Sequence, residues 1–160
     1  MSLRNDLIIV RNPDYARTNT LQSIHLVSRH LQERFLVIDA DTVVEPASFN
    51  AFMVAASECT QLIGISRYTT SDGVRVLLDE TAACVTAFTR APEHAWEWTG
   101  IAVIDPAVVV DKPIYVYQAL EGSLPMRAAE IKAFDIDTIA DLDMARQVLA
   151  DGWPDRDNYA

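Results

Sequence analysis

The sequence contains no apolar run of the ~18–20 residues that a membrane-spanning helix requires. Its first residues, MSLRNDLIIV, have neither the apolar length nor the small-residue cleavage site of a signal peptide. Only two cysteines occur, Cys59 and Cys84, and no Cys-x-x-Cys or Cys/His cluster accompanies them. These absences argue against a disulfide framework and a structural zinc site, and they predict a soluble cytoplasmic protein.

Positive charge is also scarce. Lys112 and Lys132 are the only lysines, and the formal net charge is −10. Contacts to a nucleic-acid backbone need clustered lysine and arginine, so the composition argues against a nucleic-acid partner. A site that handles phosphate would need a bound cation, arginine, or groups from outside this chain.

The chain contains enough apolar residues to form a core. Half of its 160 residues are hydrophobic, which predicts one domain over residues 1–160. Apolar runs and periodicity predict, in chain order, a buried strand at 6–11, a helix at 21–31, a strand at 35–39, a helix at 46–57, strands at 61–68, 74–78, 82–90 and 99–104, a helix at 114–121, a strand at 130–136 and a helix at 139–149.

Local signals refine these elements. Thr20 and Thr138 are the expected N-caps of the first and last helices. Asp72-Gly73 predicts a hairpin between the strands at 61–68 and 74–78. Ile139 and Leu149 are expected to face inward on the last helix. Alternating strands and helices predict an α/β layered domain with a mixed sheet.

Two of the predicted strands end in an Asp-x-Asp pattern. FLVIDADTVV places Asp39 and Asp41 after an apolar run, and Asp135 and Asp137 follow the strand near the C-terminus. Ligands of open α/β sheets bind beyond the carboxyl ends of the strands, and Mg²⁺ prefers one or two carboxylates plus phosphate oxygens and water. We predict Asp41 and Asp137 as catalytic metal ligands, with Asp39 and Asp135 as neighbours or further ligands. Taken alone, each motif is more often a helix cap or Asx turn.

The residues around the first acidic pair resemble a known family. NPDYARTNTLQS resembles the segment Asn-Pro-x-Tyr-x-x-x-Asn-x-x-x-Ser of sugar-phosphate and phosphocholine nucleotidyltransferases. EWTGIAVID is similar to that family's strand in which a Thr-Gly pair borders the acceptor pocket, and AFDIDTIADL to its C-terminal segment that closes the metal site. The matching positions of the first segment are Asn12, Pro13, Tyr15, Asn19 and Ser23.

The resemblance implies a nucleotide-diphospho-sugar transferase-like (GT-A type) three-layer sandwich with a mixed sheet. The nearest resemblance is to phosphocholine cytidylyltransferases of bacterial surface-polymer (capsule) synthesis. It implies transfer of a cytidylyl group from CTP to phosphocholine or a sugar phosphate, with Mg²⁺ as cofactor. The substrate-binding residues would be Asn19, Ser23, Trp98, Thr99, Gly100 and Lys132. Trp98 and Trp96 lie two apart on a strand and could form an aromatic wall for a quaternary ammonium group.

One signature of that family is missing. Its Gly-rich phosphate loop, Ala-Ala-Gly-x-Gly-x-Arg followed by lysine, has no counterpart among the five glycines of this sequence. The chain therefore corresponds to the C-terminal two-thirds of the family fold, truncated at its N-terminus. A shortened sequence, a partner that supplies the front piece, and a non-catalytic remnant all fit this departure. An uncovered sheet edge predicts a homodimer.

Three other functions remain open from the sequence. A non-catalytic binding or scaffolding protein would explain the missing loop. A metal-dependent glycosyltransferase would share the Asp-x-Asp pattern but would need an acceptor-activating base and a longer acceptor region. A haloacid dehalogenase-type phosphatase would use Asp39 as its nucleophile and Lys112 as its motif lysine, but it leaves NPDYARTNT unexplained.

Overall fold

The structure used here is a computed structural model that describes residues 7–67, 70 and 72–153. Its α-helices are α1 (Thr20–Ser28), α2 (Pro46–Ser57), α3 (Val116–Leu120) and α4 (Ile139–Asp151). Its strands are β1 (Phe35–Val37), β2 (Thr42–Val44), β3 (Leu62–Ser66), β4 (Arg75–Leu78), β5 (Cys84–Thr89), β6 (Glu97–Ile104), β7 (Met126–Glu130) and β8 (Ala133–Asp135). Within the described ranges, no helix is both long and apolar enough to cross a bilayer.

Six strands form one sheet in the order β1-β6-β3-β7-β5-β4, and β2 pairs with β8 in a separate two-stranded sheet. β3 and β7 are parallel, whereas the other pairs are antiparallel. The prediction of a mixed sheet is therefore confirmed. β4 also meets β6 where Arg75 lies opposite Glu97, so the sheet curls back on itself at this corner.

The six-stranded sheet is covered on both faces. Because strand side chains alternate between faces, Ile63 and Ile65 of β3 join a core with Leu21 of α1, whereas Leu62 joins a second core with Phe52 of α2. A third, smaller core forms where α4 packs on the β2–β8 pair. The result is the three-layer arrangement predicted from the sequence.

The helix ends follow ordinary capping chemistry. Thr138 caps α4, as predicted, and Pro46 occupies the first turn of α2. The N-cap of α1 is Asn19 and not Thr20: the Asn19 carboxamide accepts a hydrogen bond from the backbone N–H of Leu21. α1 also ends at Ser28, so Leu31 lies beyond the helix.

Several predicted elements are wrong. The run at 6–11 does not form a buried strand over its described residues, because Leu7, Ile8 and Ile9 are 67%, 84% and 91% exposed. β3 and β4 do not form a hairpin; β4 pairs with β5 instead. Part of the expected hairpin turn (68, 69 and 71) lies outside the described residues. The strand at 130–136 divides into the ends of β7 and β8. Ile139 and Leu149 face outward at 75% and 79% exposure.

Phe52 provides a test of the packing between α2 and the sheet. It is 1% exposed, so Phe52→Ala should lower the free energy of unfolding by about 3–5 kcal/mol through lost burial and a residual cavity. Val54→Ala, on the same helix but 65% exposed, should change it by less than about 0.5 kcal/mol. Urea unfolding of both variants measures the difference. Equal effects would contradict the placement of α2.

Candidate functional site

The two Asp-x-Asp segments lie side by side. β2 and β8 run antiparallel with Thr42 opposite Asp135, and the Thr42 hydroxyl donates to Asp135 Oδ1 at 2.7 Å. The backbone N–H of Ile136 donates to the carbonyl of Asp41 at 3.0 Å. Segments far apart in sequence are thus joined by main-chain and side-chain hydrogen bonds, and their carboxylates form an acidic cluster of Asp39, Asp41, Asp135 and Asp137.

The charges of this cluster act on one another. Burial, followed by the charges of Asp135 and Asp41, raises the pKa of Asp39 to about 6. Burial and the charge of Asp41 also raise the pKa of Asp135, against a lowering by the Thr42 hydroxyl. For Asp137, burial and then Asp41 raise the pKa. Like charges this close favour the protonated forms, and a bound cation would reverse that preference.

Helix capping does not consume the side chains of the cluster. Thr138 and Asp141 form the capping box of α4, in which the Asp141 carboxylate accepts from Thr138 N at 2.7 Å and from Asp137 N at 3.2 Å. Only the backbone of Asp137 takes part. The Thr138 hydrogen bond lowers the pKa of Asp141. The sequence interpretation missed Asp141 and also Asp72, whose charge contributes to the raised pKa of Asp137.

Gly100 lies against the buried side of Asp39. It has a φ of +73°, and a Cβ at this position would lie 3.0 Å from Asp39 Oδ2. Glycine therefore suits both the backbone conformation and the close approach. Its neighbour Thr99 is buried and donates to the carbonyl of Gly64 at 3.0 Å. Thr99 thus connects β6 to β3, away from any open surface.

A cavity of about 450 Å³ opens beside Asp39. Three of the predicted substrate-binding residues line it, namely Asn19, Ser23 and Trp98. The remaining lining residues are Tyr15, Thr18, Thr20, Val74, Arg90, Tyr115, Val116 and Tyr117. Asp39 belongs to both the cluster and the cavity, whereas Asp41, one of the two predicted metal ligands, is exposed and lies outside the cavity lining.

Polar side chains build the α1 side of this cavity. The Asn12 carboxamide donates to Thr18 Oγ1 at 2.9 Å and to Ser23 Oγ at 3.0 Å. Asn19, besides capping α1, donates to the carbonyl of Ile114 at 2.7 Å. The motif residues Asn12, Asn19 and Ser23 therefore hold α1 in position next to the 114–117 segment.

Aromatic rings form another part of the cavity lining. Trp98 and Tyr117 each lie 5.9 Å from Phe88, centroid to centroid, and Tyr115 stacks on Tyr117 at 5.8 Å. The Trp98 Nε1 is buried and has no hydrogen-bond partner within the described part of the chain. Arg90 lies over the Tyr117 ring at 5.5 Å. The cavity thus combines π faces and one cation, while the Trp98 N–H is buried behind the ring face.

Like Thr99, Lys132 and Trp96 do not line the cavity. Lys132 forms an ion pair with Glu45 at 3.5 Å and does not line the cavity. Trp96 packs under the Arg67 guanidinium at 4.2 Å from the ring centroid, so the aromatic wall contains Trp98 without Trp96. The sequence interpretation missed Arg90, Tyr115 and Tyr117. They lie on a strand end and a short helix, where no local motif marks them.

The donor groups of the acidic cluster suit a divalent cation without enclosing it. Over residues 7–67, 70 and 72–153, no group of three or more His, Cys, Asp or Glu side chains is arranged to hold a metal ion. The donors are carboxylate oxygens, which suit a hard cation. The residues therefore fit a site in which one or two carboxylates bind Mg²⁺ and substrate phosphates complete it, and they do not fit a closed protein cage.

Comparison with known proteins places this geometry in a fold. No family model and no curated protein sequence matches the chain. Among solved structures, the CTP:phosphocholine cytidylyltransferase from Streptococcus pneumoniae matches 86% of this chain with a TM-score of 0.69 and 18% identity. The inositol-1-phosphate CTP transferase from T. maritima matches 85% with 0.63 and 17%. A UDP-glucose pyrophosphorylase from Acinetobacter baumannii matches 83% with 0.66 and 10%.

The chain has the nucleotide-diphospho-sugar transferase-like fold. At these identities the likeness establishes the fold alone, and it confirms the fold class predicted from the sequence. The chain spans 67%, 64% and 57% of the length of those three proteins, in the order given above.

Asp39 gives a pH test of the cluster. Because its folded-state pKa is raised from 3.8 to about 6, the folded state binds more protons than the unfolded state between these values. The free energy of unfolding should therefore fall as the pH rises through this window and stay lower above it. Asp39→Asn should remove this part of the slope, so that the variant is more stable than the parent at pH 7.5 and gains nothing at pH 3.5.

Urea unfolding at both pH values measures this difference. Asp111→Asn, which removes an exposed carboxylate outside the cluster, is the matched control. A stability difference for Asp39→Asn that is the same at pH 3.5 and 7.5 would contradict the predicted protonation of Asp39.

Proposed function

We propose that this chain carries the acceptor-binding and metal-binding part of a nucleotidyltransferase, which transfers a nucleotidyl group, cytidylyl by preference, from a nucleoside triphosphate to a phosphorylated acceptor. The supporting observation is that the paired Asp-x-Asp segments adjoin a cavity of acceptor size through Asp39. The fold agrees with that chemistry, and the full activity requires phosphate-binding groups that these 160 residues lack.

In this proposal Asp41 and Asp137 hold Mg²⁺, with Asp39 and Asp135 beside them. When bound, Mg²⁺ neutralises charge that develops on the transferred phosphate during in-line attack. The chain's own part is to orient the acceptor so that a phosphate oxygen forms the new bond to the α-phosphorus while the bond to pyrophosphate breaks. Gly100, which has no side chain, leaves room for the Asp39 carboxylate to lie close to β6.

The cavity lining agrees with two acceptor classes. The faces of Trp98, Tyr115 and Tyr117 could bind the quaternary ammonium of phosphocholine by cation–π attraction. The hydroxyls of Thr18, Thr20 and Ser23, with Arg90, suit a sugar or polyol phosphate instead. Arg90 repels a cationic head group, so the two classes should differ in affinity.

The triphosphate must be bound partly by other groups. No Gly-rich phosphate loop occurs in the sequence, and both lysines lie outside the cavity lining. We propose that a further chain segment or a partner supplies those contacts. A second copy joined at β1, which pairs with β6 at the end of the six-stranded sheet, is one such partner and corresponds to the predicted homodimer.

The second candidate is a binding protein of the same fold without catalysis. The missing phosphate loop and the lack of a three-ligand metal group among the described residues favour it. It would keep the cavity and its acceptor specificity, but it would not release pyrophosphate.

Pyrophosphate release decides between these candidates. With each nucleoside triphosphate, Mg²⁺ and phosphocholine, inositol phosphate or glucose 1-phosphate, one combination should release pyrophosphate faster than the same mixture without protein, although below full activity because the phosphate-loop contacts are missing. Asp41→Asn and Asp137→Asn should each lower kcat about 100-fold or more, which corresponds to about 2.7 kcal/mol of lost transition-state stabilisation. Asp111→Asn, which leaves the cluster intact, should keep full activity.

Ligand-induced stabilisation gives a second test of the proposed function that does not depend on turnover. A nucleotide with Mg²⁺ at about 100 times its Kd should add about 2.7 kcal/mol to the free energy of unfolding. Stabilisation by acceptor alone, with no turnover and no Mg²⁺-dependent effect of nucleotide, would leave the binding protein as the function.

A further inference from the structure

A buried ion pair lies behind the aromatic side of the cavity. Arg75 of β4 and Glu97 of β6 are register partners at the corner where these strands meet. Arg75 Nη1 donates to Glu97 Oε2 at 2.6 Å, and the side chains are only 7% and 11% exposed. Glu97 directly precedes Trp98, which lines the cavity.

Both partners also hold Thr70. Glu97 accepts from the backbone N–H of Thr70 at 2.8 Å and from its hydroxyl at 3.1 Å. Arg75 Nη2 donates to the carbonyl of Thr70 at 2.7 Å. The main-chain donor and acceptor of one residue are thus fixed by two oppositely charged side chains, which is a more specific arrangement than a simple ion pair.

The chain that follows Thr70 forms part of the cavity wall. Val74 lines the cavity, and its carbonyl accepts from the backbone N–H of Trp98 at 2.8 Å. Arg90, another lining residue, donates to the carbonyl of Asp72. Gly73 lies so close to the ion pair that a Cβ there would be 2.0 Å from Glu97 Oε2.

Stability alone does not account for such a pair. Desolvating two charges costs several kcal/mol, and well-packed apolar replacements of buried ion pairs are often neutral or stabilising. The hydrogen bonds to Thr70, by contrast, need both charged groups, since an apolar pair could fill the volume without fixing the backbone.

We propose that Arg75 and Glu97 are positioning residues that hold Thr70 and Val74 against β6 and thereby set the shape of the acceptor cavity. The inference rests on the proposed function for its substrate. It concerns the acceptor: the pair adjoins the wall made by Val74 and Trp98, and its hydrogen bonds do not reach Asp41 or Asp137. Its link to the acidic cluster is the charge of Asp135, which acts on Glu97.

The paired variant Arg75→Met/Glu97→Leu separates position from stability. Its melting temperature should equal or exceed that of the parent, whereas KM for the acceptor should rise about 10-fold or more, with KM for the nucleotide within about 2-fold. Gly73→Ala should raise the acceptor KM as well, because its Cβ displaces the Glu97 carboxylate. Gly122→Ala, where a Cβ meets nothing within 4 Å, is the matched control.

An unchanged acceptor KM in a paired variant that folds would overturn the proposal and leave the pair a structural feature. If the parent protein itself transfers no nucleotide, the proposed function fails and a second measurement decides this inference. In a Trp96→Phe/Trp153→Phe background, acrylamide quenching of Trp98 should increase in the paired variant if the wall loosens. Unchanged quenching would show that the ion pair does not hold the wall.

Discussion

The site depends on holding carboxylates close together against their mutual repulsion. The small core under α4 opposes that repulsion. The β2–β8 pair places Val43 opposite Phe134, and these residues join a core with Ala145 and Val148 of α4. Because strand side chains alternate, the same register brings Thr42 against Asp135 at the neighbouring position. Apolar burial on one face therefore brings the acidic segments together on the other. Burial and then the neighbouring carboxylates make ionisation of Asp39, Asp135 and Asp137 more costly, which raises their pKa values.

Four cations of the described residues have partners outside the acidic cluster and do not relieve this repulsion. Lys132, Arg75 and Arg146 form ion pairs with Glu45, Glu97 and Asp143, none of which belongs to the cluster. Arg34 instead donates to carbonyls at the end of α2. A chain with a net charge of −10 thus spends these positive groups on structure and leaves the cluster to be neutralised by protons or by a ligand.

Sequence reasoning reached the parts of the site that local chemistry marks. The apolar strand before Asp39 and the Thr138 cap are short-range signals, and the elements they mark formed close to where predicted, whereas the strand predicted at 130–136 divides between β7 and β8. The cavity was harder to predict, since Arg90 and Tyr117 come from distant segments and meet only through the sheet order. The run at 6–11 failed for a related reason: apolar composition indicates a preference for burial but does not specify the strand that would cover it.

Asp39 connects the electrostatics of the cluster to the chemistry of the cavity. Burial and its acidic neighbours raise the pKa of Asp39 to about 6. Asp39 also lines the cavity, and the missing side chain of Gly100 leaves room for its carboxylate against β6. Any cation that binds Asp41 or Asp137 lowers the cost of ionising Asp39, so near pH 6 the cavity gains negative charge when the cluster gains a cation. Binding at one site therefore changes the affinity of the other by the same factor whichever ligand binds first, even though no moving part connects them.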